Sequence, residues 1–312
     1  MKDFSLFLVV LFVFLVSCAD NQEGPSISPS VDLIEMEAEG GIGHIDFSSG
    51  DWSIDRVENV TGDSRIFGDI YSLQNEKINE NVLLGLEGEG RLEAIWQNKG
   101  FVIVRNGQDK LEISLQENSS GEQFAFRIIL TSANGQRTIT VSQKASQGYE
   151  FKGIKYYVGE GDGDSLYWRV GSTLKFTVPN SQEIEIMPIG GVDVNSSFFF
   201  ESDAPDAFVW LMADSVEVKL PANFQDGEIY YGQEKGTYTS YVQSGKSEYS
   251  DLKEIIAVSP GYSEFRSEFE MRHRILSYTL LLTNNRTGED KTIEGKWVQI
   301  APTGNYRVIS VD

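Results

Sequence analysis

The sequence contains one cysteine, two histidines and eight prolines in 312 residues. A single thiol closes no internal disulfide and builds no multi-cysteine metal site. His44 and His273 are far apart and have no neighbouring ligands, so each reads as a strand residue, not as half of a zinc site or a catalytic base. Basic residues are scarce too: 26 Lys and Arg stand against 47 Asp and Glu, a net charge of −21. That excludes a nucleic-acid partner, because phosphate binding needs clustered cations. The deficit is spread evenly, with 10 basic and 21 acidic residues over 19–147 and 15 and 25 over 148–312. It therefore describes a solvated, self-repelling surface and not a charged tail. No segment keeps a sustained 3.6-residue period, and no G-x-S-x-G, H-E-x-x-H, P-loop or G-x-G-x-x-G pattern occurs.

What is present is apolar and aromatic, at 40% and 12% of residues, too rich for a disordered chain. At about 150 residues per domain, the length suits two domains, each with its own core. The first apolar run, Phe4 to Val16, is broken only by Ser5 and preceded by Lys2. It falls short of the roughly 20 residues of a membrane-spanning helix and suits the apolar stretch of a secretion signal. It ends Leu15-Val16-Ser17-Cys18, which places the lone cysteine where greasy sequence turns polar.

That ending resembles a bacterial lipobox. The resemblance implies cleavage between Ser17 and Cys18, a diacylglycerol on the Cys18 sulfur and an acylated Cys18 amine, so that outer-membrane lipid is a partner. Two or more acyl chains anchor stably, at about 0.8 kcal/mol per buried CH₂. Ala19 follows the cysteine where an inner-membrane retention signal carries aspartate, and Asp20 and Glu23 are similar to the surface-export tethers of Bacteroidetes lipoproteins. The expected location is the outer membrane, on the cell surface, with residues 18–30 as lipidated N-terminus and flexible tether.

Strand patterning fills the rest. Ile34, Met36 and Ala38 alternate with Glu35, Glu37 and Glu39, and Leu111, Ile113 and Leu115 alternate with polar residues. Phe124, Phe126, Ile128 and Leu130 lead to Asn134-Gly135, a favoured tight-hairpin dipeptide, and Thr138 to Gln143 runs back. Within Asp69 to Gly90 the pattern is weakest and admits a short helix over 76–82. Beyond Gly148-Tyr149, strands are expected over 150–158, 166–178, 207–212, 215–220, 228–231, 275–282 and 292–300. The fold class expected is all-β: two immunoglobulin-like or related β-sandwich domains, at 31–147 and 148–312, after a signal peptide at 1–17.

The order Ala38-Glu39-Gly40-Gly41, Trp52, Glu117-Asn118-Ser119-Ser120 and Thr138-Ile139-Thr140-Val141-Ser142-Gln143 resembles the BACON domain, the Bacteroidetes-associated carbohydrate-binding, often N-terminal module. The resemblance covers about 27–145 and implies that the glycine pair ends the first strand, Trp52 packs the core and Gln143 closes the last strand. A long insertion between Trp52 and Leu111 departs from the family. The second half resembles no family.

Glu160, Asp162 and Asp164 place oxygens at alternate positions, as a calcium loop does, yet Ser165 and Gly171 stand where such a loop needs Gly and Glu. An acidic hairpin turn is the simpler reading, and no cofactor is expected. The segment from Glu228 to Tyr262 holds six of the 13 tyrosines among Gly, Ser, Thr and Gln, the chemistry of adaptable binding loops. Tyr230, Tyr231, Tyr238 and Tyr241, with Trp168 and Trp210, are the expected ligand-binding aromatics. Asp164-Ser165-Leu166 and Asp214-Ser215-Val216 resemble the short Bacteroidetes O-glycosylation motif, at Ser165 and Ser215. The function expected is a non-catalytic, lipid-anchored protein that binds glycan or another extracellular ligand. The alternatives are an assembly component of an envelope complex or adhesin, and a hydrolase built on a carboxylate pair.

Overall fold

The computed structural model describes residues 27–48, 50–62, 64–190, 195–210, 216–225 and 227–311. Within them every regular element is a β-strand, and the fold is all-β, of sandwich type.

The N-terminal half contains β1 (Leu33–Met36), β2 (Gly41–Asp46), β3 (Ser53–Asn59), β4 (Phe67–Tyr71), β5 (Lys77–Leu83), β6 (Gly90–Ile95), β7 (Gly100–Arg105), β8 (Lys110–Leu115), β9 (Phe124–Ser132) and β10 (Gly135–Gln143). One sheet runs β1-β10-β9-β3 and the other β2-β8-β7-β6-β4-β5. Alternation in β8, β9 and β10 sends Leu111, Ile113, Phe126, Ile128, Ile139 and Val141 into one core with Ile45, Trp52 and Phe101. The 76–82 segment is strand β5 and not a helix: it pairs with β4, and that pairing satisfies its backbone. The β9–β10 turn centres one residue earlier than expected, because Gly135 already pairs with Ser132.

Residues 27–30, expected within the tether, are docked on the N-terminal half. Ile27 is buried, its carbonyl accepts from Arg137 Nε at 3.2 Å, and Ser30 N donates to Asp46 O at 2.8 Å. The sequence landmarks are structural pins. Gly40 has φ of 80°, and a Cβ there would meet Leu115 O at 2.2 Å, so only glycine fits. Buried Gln143 donates through Nε2 to Ala38 O at 3.0 Å and Gln116 O at 2.7 Å. Asn118 Nδ2 donates to Glu122 O and Lys144 O. Trp52 lies against Phe47, with the Arg105 guanidinium 3.8 Å from its ring centre.

The C-terminal half contains β11 (Tyr149–Tyr157), β12 (Gly163–Val178), β13 (Gln182–Ile186), β14 (Asn195–Glu201), β15 (Glu217–Gln225), β16 (Glu228–Thr237), β17 (Gln243–Lys246), β18 (Glu254–Val258), β19 (Gly261–Asn284) and β20 (Asp290–Ser310). Its axis is β19, 24 residues long. One edge of β19 pairs with β11 and then β12, and the other pairs with β20, which carries β14 and β17 outward. The hairpin β15–β16 covers the face that presents Leu276, Tyr278, Leu280 and Trp297, while the β13–β18 pair packs on Phe176, Phe265 and Val308. The strand expected at 207–212 is replaced over its described residues by a turn, which seats Ala207 and Trp210 in the core.

Candidate functional site

Antiparallel pairing puts directly opposed residues on one face of the sheet. On the face that buries Leu276, the next rows toward the start of β19 are Asp164–Arg274–Gln299 and then Leu166–Arg272–Ala301. The face therefore turns from apolar to cationic within two rows. Arg274, with a side chain 0% exposed, is fully engaged: its Nε and Nη2 donate to Asp164 at 2.6 and 2.7 Å, and its Nη1 to Ala222 O at 3.2 Å. Arg272 is not. Its Nε is buried without a hydrogen-bond partner, and its Nη2 reaches Gln299 Oε1 only at 3.4 Å. Burial lowers the Arg272 pKa, and the neighbouring Arg274 charge adds to the effect.

Arg272 borders a cavity of about 490 Å³ where β14 begins and β15–β16 leans over the sheet. The lining mixes donors, acceptors and one aromatic ring, including Asn223, Glu234, Glu248, Tyr249, Gln299 and Thr303. Lys246 also lines it, but its ammonium is held by Asp251 at 2.8 Å. The Glu248 carboxylate hydrogen-bonded to Tyr249, with some burial, raises that phenol's pKa. On β12, Leu166 pairs directly with Arg272, Trp168 follows one row on along the same face, both stay open to solvent, and Arg307 lies 4.7 Å over the Trp168 ring. The arrangement offers hydrogen bonds of both senses next to apolar surface.

The expected binding aromatics divide. Trp168 lies on the Arg272 face of the sheet, opposite Glu270, and Tyr230 sits on the covering hairpin opposite Asn223. Tyr231 is half-exposed with its ring 6.2 Å from Tyr156. Tyr241 is 81% exposed. Tyr238 and Trp210 are corrected to core residues, 3% and 1% exposed. Tyr238 packs against Phe200, Phe208 and Tyr278 and shares a 2.9 Å hydroxyl contact with Tyr278, whose own pKa burial pushes up to about 12. Trp210 Nε1 donates to Ala207 O. Neither ring has a free face.

The acidic residues of the 160–164 turn have different surroundings. Asp162, with a side chain 1% exposed, accepts from Gly159 N, Ser277 N, Ser277 Oγ and Lys296 Nζ at 2.6–2.7 Å. Burial works to raise its pKa, but those donors outweigh burial and hold it below the ordinary value. Asp164 is taken by Arg274, and Glu160 is exposed. Among the described residues no three His, Cys, Asp or Glu side chains gather as a metal-holding group. Ser165 is exposed on β12, whereas Ser17, Cys18 and Ser215 lie outside the described residues. Arg272, Gln299 and Glu248 escaped the sequence reading because nothing local marks them. Only strand register brings Arg272 and Gln299 together.

No family model and no curated protein matches the chain. Among solved structures, a Bacteroides thetaiotaomicron protein determined by NMR shares 12% identity over 41% of this chain and 94% of its own, with a TM-score of 0.26. A lamprey immune protein shares 10% over 88% of each chain, with a TM-score of 0.34. The parasporin-2 toxin of Bacillus thuringiensis, which recognizes cancer cells, shares 8% over 61% of this chain and 75% of its own, with a TM-score of 0.27. Likeness at these levels carries no argument about this chain.

Proposed function

We propose that this chain is a lipid-anchored outer-membrane protein at the cell surface that binds a glycan without turning it over. The N-terminal half, with its BACON-like landmarks, serves as platform, and the C-terminal half provides the site. The carrying observation is the cavity at Arg272, lined by acids, amides, hydroxyls and a guanidinium, on the sheet face that also exposes Leu166 and Trp168. Sugars present dense hydroxyls along their edges and apolar C–H faces, which such a lining complements. The position of Cys18 at the end of an apolar run supports the anchor.

A glycan array probed with the full chain should give hits that weaken with Trp168→Ala. Silence across mucin and plant glycans would remove the sugar reading. Glu234 and Glu248 both line the cavity, so shortening of a bound glycan over time would overturn the non-catalytic part.

One observation favours an assembly role. The outer edge of β12 pairs with no described strand and exposes Leu166, Tyr167, Trp168 and Val170. Open apolar edges recruit partner strands. Under that reading, crosslinking in intact cells yields a defined envelope protein attached through β12, and the array is blank.

A further inference from the structure

We propose that Arg272 forms a carboxylate-binding subsite, so that the ligand of this cavity is a glycan bearing an isolated uronic-acid residue. The inference rests on the glycan reading of the same cavity and narrows it to a substrate class.

A guanidinium has five N–H donors in a planar fork, and a carboxylate matches two of them at once. Donors left unmade away from bulk water cost free energy, so an underused arginine in a cavity wall calls for a partner. Arg272, partly buried in the cavity wall, fits that description: its Nε is shielded and unbonded, and among the described residues its one side-chain hydrogen bond, from Nη2 to Gln299, is long at 3.4 Å. Arg274, one row away with the same chemistry, shows what satisfaction looks like on this sheet, with both prongs on Asp164.

The surrounding charges define the rest of the ligand. Arg274 is neutralised by Asp164 and Lys246 by Asp251, so neither competes for an anion. Glu234 and Glu248 also face the cavity, and they suit hydroxyl donors while disfavouring a second anion nearby. The net charge of −21 repels a polyanionic polymer at long range. One carboxylate among neutral hydroxylated rings satisfies all of these conditions. Trp168 and Leu166, on the Arg272 face, are placed to meet the apolar side of an adjoining sugar.

The test is calorimetry on the full chain in detergent with two probes: a disaccharide carrying one glucuronate, and its methyl ester, which keeps the ring and loses the charge. Wild type should bind the acid at least about tenfold more tightly than the ester, as expected for hydrogen bonds to a charged group. In Arg272→Gln the ratio should fall to about one. Arg272→Lys should recover part of it, since lysine keeps the charge without the fork. Equal binding of acid and ester by wild type overturns the subsite and leaves the glycan reading standing. That arm needs no variant to fold. Acid preference that survives in a folded Arg272→Gln also overturns it. If neither probe binds and the array is blank, the glycan reading falls with it.

Discussion

Glu39 and Arg286 join the two halves of the chain: Glu39 Oε2 accepts from Arg286 Nε at 2.9 Å and Nη2 at 2.7 Å, across 247 positions of sequence. Asn284 donates to the other Glu39 oxygen at 3.0 Å. Nearby, Lys291 bridges Glu117 and Asp206, and Tyr149 donates to Glu117 at 2.6 Å. Burial works against the Lys291 charge, yet its carboxylate partners outweigh burial and raise its pKa. A polar clamp of this kind fixes orientation more than it adds stability.

Glu39→Gln combined with Lys291→Met should loosen the junction without unfolding either half. Calorimetry should show the melting profile broadening or splitting, and limited proteolysis should cut faster near 144–148. A single unchanged transition would show that the clamp is dispensable.

The clamp is also acid-sensitive. Burial acts to raise the Glu39 pKa, but the hydrogen bonds from Arg286 and Asn284 prevail and hold it below the ordinary 4.5. A depressed carboxylate contributes stability that is present above 4.5 and is lost as pH falls through the lower folded value. Asp162 is depressed in the same sense and is lost in the same direction. Wild type should therefore lose melting temperature below pH 4.5, and Glu39→Gln should lose less over that window, measured by a pH series of thermal scans.

Asp162→Asn should destabilise by about 3 kcal/mol, because it removes the charge that holds Lys296 and misdirects a group accepting four hydrogen bonds. Millimolar calcium should leave the wild-type melting temperature unchanged. An upward shift on adding calcium would restore a metal role for the 160–164 turn.

Two tyrosines three residues apart should behave oppositely. Tyr238→Ala empties a buried ring site and should cost about 3–5 kcal/mol. Tyr241→Ala, on an exposed turn, should stay within about 0.5 kcal/mol. Urea denaturation of both variants checks this, and loss of glycan binding in Tyr238→Ala would report unfolding and not a lost contact.

Gly40→Ala should destabilise the N-terminal half by about 2 kcal/mol or more, since it combines a left-handed backbone with a Cβ inside contact distance of the Leu115 carbonyl. A neutral effect would mean that the β1–β2 turn relaxes freely.

The all-β class was legible because alternation is local: Leu111, Ile113 and Leu115 declare a half-buried strand by themselves. The length of β19 was not, since 275–282 is apolar enough to stand out while Arg272, Arg274 and Glu268 interrupt the pattern on the same strand. Tyr238 and Tyr241 look alike in sequence, with small polar neighbours around both. Their burial differs because Tyr238 meets Phe200 and Tyr278, contacts made by residues about 40 positions away in each direction. Arg272 is one of 26 cations, and only the folded sheet reveals that it has a long contact to Gln299 where Arg274 has both prongs on a carboxylate.

The most direct test of the account is hydrogen–deuterium exchange of the full chain with its strongest glycan hit from the array. Slowed exchange should be confined to 221–223, 246–249, 270–274 and 299–303, the strands and loop that frame the Arg272 cavity. Protection at 50–53 and 87–89, around the Trp52–Arg105 end of the N-terminal half, with none near Arg272, would contradict it.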